Sequence, residues 1–192
     1  MDNTVGSLTQ YQKSIIIGTL LGDGYVRKIQ GRKDAFLEIN HSLKQKEYVD
    51  WKYRHLKNIV RTEPKPRSGN GKRMAYRFFS RQMPELTRFM ELFYENKKKV
   101  IPDITLDPIM LTVWFMDDGS RCRESDVYLN TQQFSIENQG KLIRLLGDFG
   151  LQAKLNKDKE YYRIRFLKTS IKRLQEIIAP HLIPSMKYKI GL

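Results

Sequence analysis

Residues Ile16–Gly24 read IIGTLLGDG, and residues Leu111–Gly119 read LTVWFMDDG. Each runs from an apolar, helix-like stretch into an acid followed by glycine. A carboxylate just past a helix C-terminus is electrostatically unfavourable, because that end already carries partial negative charge. Taken singly, such an end is an ordinary Asp–Gly turn. Two in register point to a shared task. If the two helices pack side by side, Asp23 and Asp118 meet together with backbone carbonyls. Gly22 and Asp117, one residue before each acid, complete a set of hard oxygen ligands suited to Mg²⁺.

Working outward, each segment opens a similar succession of elements. Residues 8–22 predict a helix stopped at Gly22–Asp23–Gly24. Strands are predicted over Tyr25–Ile29 and Phe36–His41, a helix over 44–61, a loop over Glu63–Gly71, a strand over Arg73–Ser80 and a helix over Pro84–Glu95. The second half predicts a helix over Pro108–Asp118, a strand over Val127–Gln132, a helix over Glu137–Phe149, strands over Leu151–Leu155 and Tyr161–Leu167, and a helix over Ile171–Ile178. Each half shows three of the strands, and overlaid they give the order helix, two strands, helix, two strands, helix for both copies, with a period of about one hundred residues; an internal repeat outranks any local assignment. The expectation is an α/β (α+β) chain of two pseudo-symmetric αββαββα half-domains, residues 1–100 and 101–192. The joint, Val100–Asp107, has no flexible Gly/Ser run.

The 192 residues carry 35 Lys and Arg against 21 Asp and Glu, a formal net charge of +14. That excess exceeds what solubility needs and points to a polyanion, with nucleic acid ahead of an anionic membrane surface. A single cysteine, Cys122, rules out an internal disulfide. His41, His55 and His181 lack the cysteine partners of a structural zinc site. The opening residues have no apolar signal core, and no apolar run is long enough to span a bilayer. These features imply an intracellular protein, in a mitochondrion, chloroplast or bacterial cytoplasm, with no membrane partner.

The two segments resemble the nine-residue LAGLIDADG motif. Gly18, Asp23 and Gly24 match its third, eighth and ninth positions, and Asp118 and Gly119 match the last two of the second copy. HSLKQKEYVDWK (His41–Lys52) and PSMKYK (Pro184–Lys189) are similar to the group I intron-encoded subgroup. In the second copy Val113 stands where the motif has glycine, followed by bulky Trp114 and Phe115, while Gly18 and Gly22 keep the first helix slim. The resemblance implies a single-chain homing endonuclease that cuts double-stranded DNA at an intron insertion site, leaving short 3′ overhangs. Its motif helices form the interface between the halves, and Asp23 and Asp118 each serve one strand through divalent metal. Mg²⁺ is the expected cofactor; Mn²⁺ should substitute and Ca²⁺ should support binding only. His41 and Gln132 occupy the places of water-positioning residues, and Lys99 and Lys187, or Lys189 beside it, those of active-site lysines. The resemblance also admits an RNA maturase acting on intron RNA, or a transcription regulator that has lost catalysis. Retention of both acids favours the nuclease.

Strand alternation supplies a DNA-reading surface. Arg73, Ala75 and Arg77 share one face, opposite Met74, Tyr76 and Phe78. Arg163 and Arg165 alternate with Tyr162, Ile164 and Phe166 in the same way, and Arg121 and Arg123 repeat the spacing. Arg27, Lys28, Arg32 and Lys33 in the first hairpin, with Lys154 and Lys157 in the second half, add further groove or phosphate contacts. Two such sheets would form a saddle, and because the halves differ the target should be a long, pseudo-palindromic duplex bound by one monomer.

Overall fold

The computed structural model describes residues 7–69 and 73–192. Helix α1 (Gln10–Leu21) leads into strands β1 (Tyr25–Lys28) and β2 (Ala35–Ser42), helix α2 (Lys46–Leu56), strands β3 (Lys65–Ser68) and β4 (Met74–Phe79), and helix α3 (Pro84–Phe93). A small hairpin, β5 (Tyr94–Glu95) and β6 (Lys98–Lys99), follows. The order then repeats as α4 (Pro108–Asp118), β7 (Gly119–Arg123), β8 (Asp126–Leu129), α5 (Ile136–Asp148), β9 (Ala153–Asp158), β10 (Tyr161–Phe166) and α6 (Lys168–Ile178), closed by 3₁₀ turns to Lys189. The two four-stranded sheets are antiparallel and share one topology, β1-β2-β4-β3 and β7-β8-β10-β9. Among the described residues no helix is long and apolar enough to cross a membrane.

The αββαββα order expected from the sequence is present twice. The loop expected over Glu63–Gly71 is partly wrong. Its central residues, Lys65–Ser68, form the edge strand β3, and its last two lie outside the described residues. Pro66 hid this strand, yet an edge strand has one side on which no neighbour needs an N–H donor. The turn expected at Asn156–Glu160 is shorter, because β9 runs to Asp158 and Lys159 takes the left-handed conformation with φ 58°. The β5–β6 hairpin had no counterpart in the expectation. Asn96 and Lys97, with φ of 49° and 66°, make its tight turn.

Helices α1 and α4 pack against each other at the centre, between the sheets. Ile15, Ile16, Leu20 and Leu21 of α1 and Leu111 and Val113–Met116 of α4 are fully buried. Neither helix has one apolar stripe, because each faces its partner helix and its own sheet together. Their approach depends on glycine. A Cβ added to Gly18 would lie 2.5 Å from the Met110 carbonyl oxygen and 2.8 Å from the Val113 Cβ; one added to Gly22 would lie 2.4 Å from the Asp117 Cβ. The bulk of the second motif is thus received by the slimness of the first. At the N-terminal ends, Thr9 caps α1 in a reciprocal box with Gln12. Asp107 caps α4 at the Met110 N–H (2.7 Å) and also accepts the Ser14 hydroxyl of α1.

Gly18→Ala should therefore destabilise the protein by overpacking, by about 1–3 kcal/mol. Gly140→Ala, where an added Cβ meets nothing within 4 Å, should be neutral or stabilising in its exposed helix. Urea unfolding of the two variants measures the difference.

Candidate active site at the ends of the motif helices

The C-terminal ends of α1 and α4 bring Asp23, Asp117 and Asp118 close together. Asp23 is the open member, its side chain 53% exposed. Asp118 is buried, and among the described residues its Oδ2 has no hydrogen-bond partner. Burial, and after it the charges of Asp23 and Asp117, holds the Asp118 carboxyl well above the usual carboxylate range. Asp23 is raised by the same two kinds of cause, burial and then Asp117. An orphaned buried carboxylate oxygen beside two further acids is a donor set that a divalent cation fits.

Two lysines cap the helix ends from opposite sides. Lys99, presented by β6, donates to the Gly22 carbonyl at 2.6 Å. Lys189, in the terminal 3₁₀ segment, donates to the carbonyls of Met116 (2.6 Å) and Asp117 (3.0 Å). Cations are favourable at helix C-termini, where carbonyls lack partners. Burial pulls the Lys99 ammonium down to about 8, against the attraction of Asp118, Asp117 and Asp23, and it lowers Lys189 as well.

At the end of β2, His41 lies with Nδ1 3.7 Å from Asp23 Oδ2 and Nε2 3.6 Å from Asp117 Oδ1. Asp23, His41 and Asp117 could each direct one ligand atom at a common point. Burial, helped by Lys52, lowers His41 to about 4, so the imidazole is neutral near pH 7. On the other side Asn130 donates to the Asp118 carbonyl at 2.9 Å, and Gln133 lies 3.4 Å from the Gly22 carbonyl.

Several expectations need correction here. Gln132 is turned away, its amide 3.4 Å from Asp158. Its neighbour Gln133 reaches the motif instead, because the turn after β8 reverses the alternation. Lys187 is exposed, and Lys189 two residues on is buried at the motif. The Asp117 carboxylate is engaged by Lys52, at 2.9 and 3.1 Å, and its backbone carbonyl by Lys189, at 3.0 Å, so a metal would share either oxygen with an ammonium.

The sheet faces opposite the helices carry the basic residues, in a pattern set by register. Arg27 and Arg77 flank Glu38, at 3.2 and 4.0 Å, and lie over Phe36 and Phe79. Arg163 lies 4.0 Å over the Tyr128 ring and 3.6 Å from Asp158, and Arg165 pairs with Asp126. Lys154 pairs with Arg165 across the ladder and shares its face. Arg73 lines a cleft of about 360 Å³ with Asp23, His41 and Ser42. Arg32 and Lys33 sit exposed at the β1–β2 tip, and a bulge returns Arg123 to the face of Asp126. Three residues fall on the helix side. Lys28 pairs with Ala35, Lys157 with Tyr162, and Arg121 with the core residue Val127, its guanidinium against Gly191. A period of two excludes them from the face their neighbours occupy.

Residues 13–174 match the model of the LAGLIDADG DNA endonuclease family. The chain belongs to that family. It is 31% identical over 204 residues to a protein named RecA from Mycobacterium gastri, across 95% of this chain and 48% of that one. It is 29% identical to probable intron-encoded endonuclease 1 of Wickerhamomyces canadensis, across 96% of this chain and 85% of that one. Cytochrome b mRNA maturase bI2 of Debaryomyces hansenii is 28% identical, across 92% and 72%. The chain thus spans about half the length of some curated relatives. Among solved structures, the homing endonuclease I-WcaI bound to its DNA recognition sequence superposes with a TM-score of 0.88 at 25% identity, over 96% of this chain and 88% of that one.

Membership in the LAGLIDADG family makes the strained acid Asp118 informative. Its folded carboxyl sits above the value of the unfolded chain, so ionisation opposes folding, and the opposition grows as pH rises past the ordinary carboxylate range. Asp118→Asn should raise the melting temperature of metal-free protein, and by more at about pH 8 than at about pH 5. A calorimetric comparison of the two proteins across that window checks both sign and trend.

Proposed function

We propose that the chain is a site-specific, metal-dependent homing endonuclease for double-stranded DNA, with half-domains 1–100 and 101–192 each serving one strand. The observation that carries this reading is the convergence of Asp23 and Asp118 at the paired helix ends, between two sheets whose open faces bear arginine. Asp23, Asp118 and the carbonyls of Gly22 and Asp117 would hold the metal, with Mg²⁺ the expected ion. The bound metal would supply an activated water and neutralise charge on the scissile phosphate.

The remaining chemistry belongs to the chain. Lys99 and Lys189 direct ammonium groups at the place where phosphate charge builds up, fixed there before substrate arrives. With its ammonium near 8, Lys99 is still mostly cationic at neutral pH and can also release a proton. The neutral His41 imidazole can accept a hydrogen bond from water on the Asp23 side, and the Gln133 amide can orient water beside the Gly22 carbonyl. On the sheets, Glu38 and the aromatic rings hold Arg27 and Arg77 extended before DNA binds, which lowers the entropy lost on contact. The face residues differ between the halves, so they should read different half-sites, one monomer per duplex.

Kinship with a cytochrome b mRNA maturase supports a second reading, assistance to intron RNA. Retention of both acids and both lysines favours cleavage as the primary activity.

Selection from a randomised DNA library in Mg²⁺, with sequencing of cut ends, tests the main reading; absence of any cleaved species would overturn it. On the selected duplex, Asp23→Asn/Asp118→Asn should lose double-strand cleavage yet bind at near wild-type affinity in Ca²⁺. Full cleavage by that double variant would remove the assignment of the acids. Binding should weaken steeply with salt, log K falling by roughly 0.9 per phosphate neutralised for each unit of log salt. A flat slope in a fluorescence-anisotropy titration would exclude the saddle as the binding surface.

A further inference from the structure

Lys52, on α2, is the charged residue among the largest fully buried side chains. Its ammonium grips the Asp117 carboxylate at 2.9 and 3.1 Å and lies 4.4 Å over the Tyr48 ring. The Asp117 side chain is also fully buried. The pair therefore joins the first half to the last turn of the second half's motif helix, with no water access. Replacing a well-packed buried pair by apolar residues is often neutral or stabilising, so stability alone is a weak account of its presence.

The surroundings suggest a different role. Besides Lys52, Asp117 Oδ2 accepts the backbone N–H of Asp23 at 3.3 Å, and Asp117 Oδ1 lies 3.6 Å from His41 Nε2. The other ring nitrogen of His41 faces the Asp23 carboxylate at 3.7 Å. One carboxylate, oriented by one ammonium, thus touches both the backbone of Asp23 and the ring beside its side chain. The pseudo-symmetric position in the first motif is Gly22, which has no side chain and cannot take part in such a pair. Around Asp118 the contacts come from Asn130 to its carbonyl, and its Oδ2 is left without a partner.

We infer that Lys52 and Asp117 are positioning residues for the Asp23 half of the site alone, so that the two DNA strands are cut by unequally supported centres. This rests on the nuclease reading above. Lys52 and Asp117 act through Asp23 and His41, and loss of Lys52 leaves an uncompensated buried carboxylate that displaces both. The Asp118 centre keeps its own contacts.

The test uses the full chain and a duplex labelled differently on each strand. Lys52→Met should slow one strand by about tenfold to a hundredfold, while the other stays close to the wild-type rate, so that nicked duplex accumulates. His41→Ala should slow the same strand. In metal-free protein, Lys52→Met should shift the Asp23 amide and His41 ring resonances in NMR spectra and leave the Asn130 side-chain amide unchanged. Lys52→Gln, which keeps a donor for Asp117 and is the fallback if Lys52→Met does not fold, should show the same strand bias, more weakly. Equal slowing of both strands, or no slowing, overturns the inference while leaving the nuclease reading intact. A wild-type protein that cuts neither strand of any selected duplex overturns both.

Discussion

Two helix C-termini and three carboxylates share one small, largely dry volume, and most of the structure answers that crowding of negative charge. Unpaired carbonyls already make such an end electronegative. Here Asp118 lies buried with an oxygen unsatisfied, Asp117 is fully enclosed, and Asp23 stands at the mouth. Three lysines converge from separate elements: Lys99 on Gly22, Lys189 on Met116 and Asp117, and Lys52 on the Asp117 carboxylate. They leave Asp23 and Asp118 with raised carboxyl pKa values, so the arrangement still favours a further cation. Stability is given up locally to hold a site ready for charge.

That concentration is possible because the helices approach until backbone meets side chain. Gly18 and Gly22 allow it from one side only. The same closeness sets the distance between the two acids and leaves the sheets flanking the helix pair with their arginine faces turned outward. Packing and chemistry are therefore one constraint at this position. A change that spreads the helices also separates the charges.

Much of this was legible in the chain. The repeat, the motif helices and Asp23 and Asp118 followed from an acid and a glycine placed twice at helix ends, a pattern that hydrophobic periodicity makes visible. The β3 edge strand was hidden by Pro66, and the hairpin that presents Lys99 by a turn that uses Asn96 and Lys97 in place of glycine. Gln133 in place of Gln132, and Lys189 in place of Lys187, are displacements of one and two residues. They depend on turn geometry, which composition does not specify. Lys52 had only a weak signal: it stands four residues from Tyr48 and from Leu56, on the buried stripe of its helix, but a lysine there reads as a charge that reaches out to solvent. Its burial becomes intelligible only once Asp117 arrives from the other half, sixty-five residues away. Lys28, Arg121 and Lys157 are the opposite case, cations expected on or beside the arginine faces that strand parity places behind them.

The unequal division of bulk between the motif helices makes the two halves non-interchangeable. Here Gly18 stands opposite Val113 and the Met110 backbone, and Gly22 opposite Asp117. Two first halves would meet glycine to glycine across a gap, and two second halves would bring valine against valine with no recess to receive it. Each copy is the mould of the other, so neither could pair with a second copy of itself without changes on both sides of the contact.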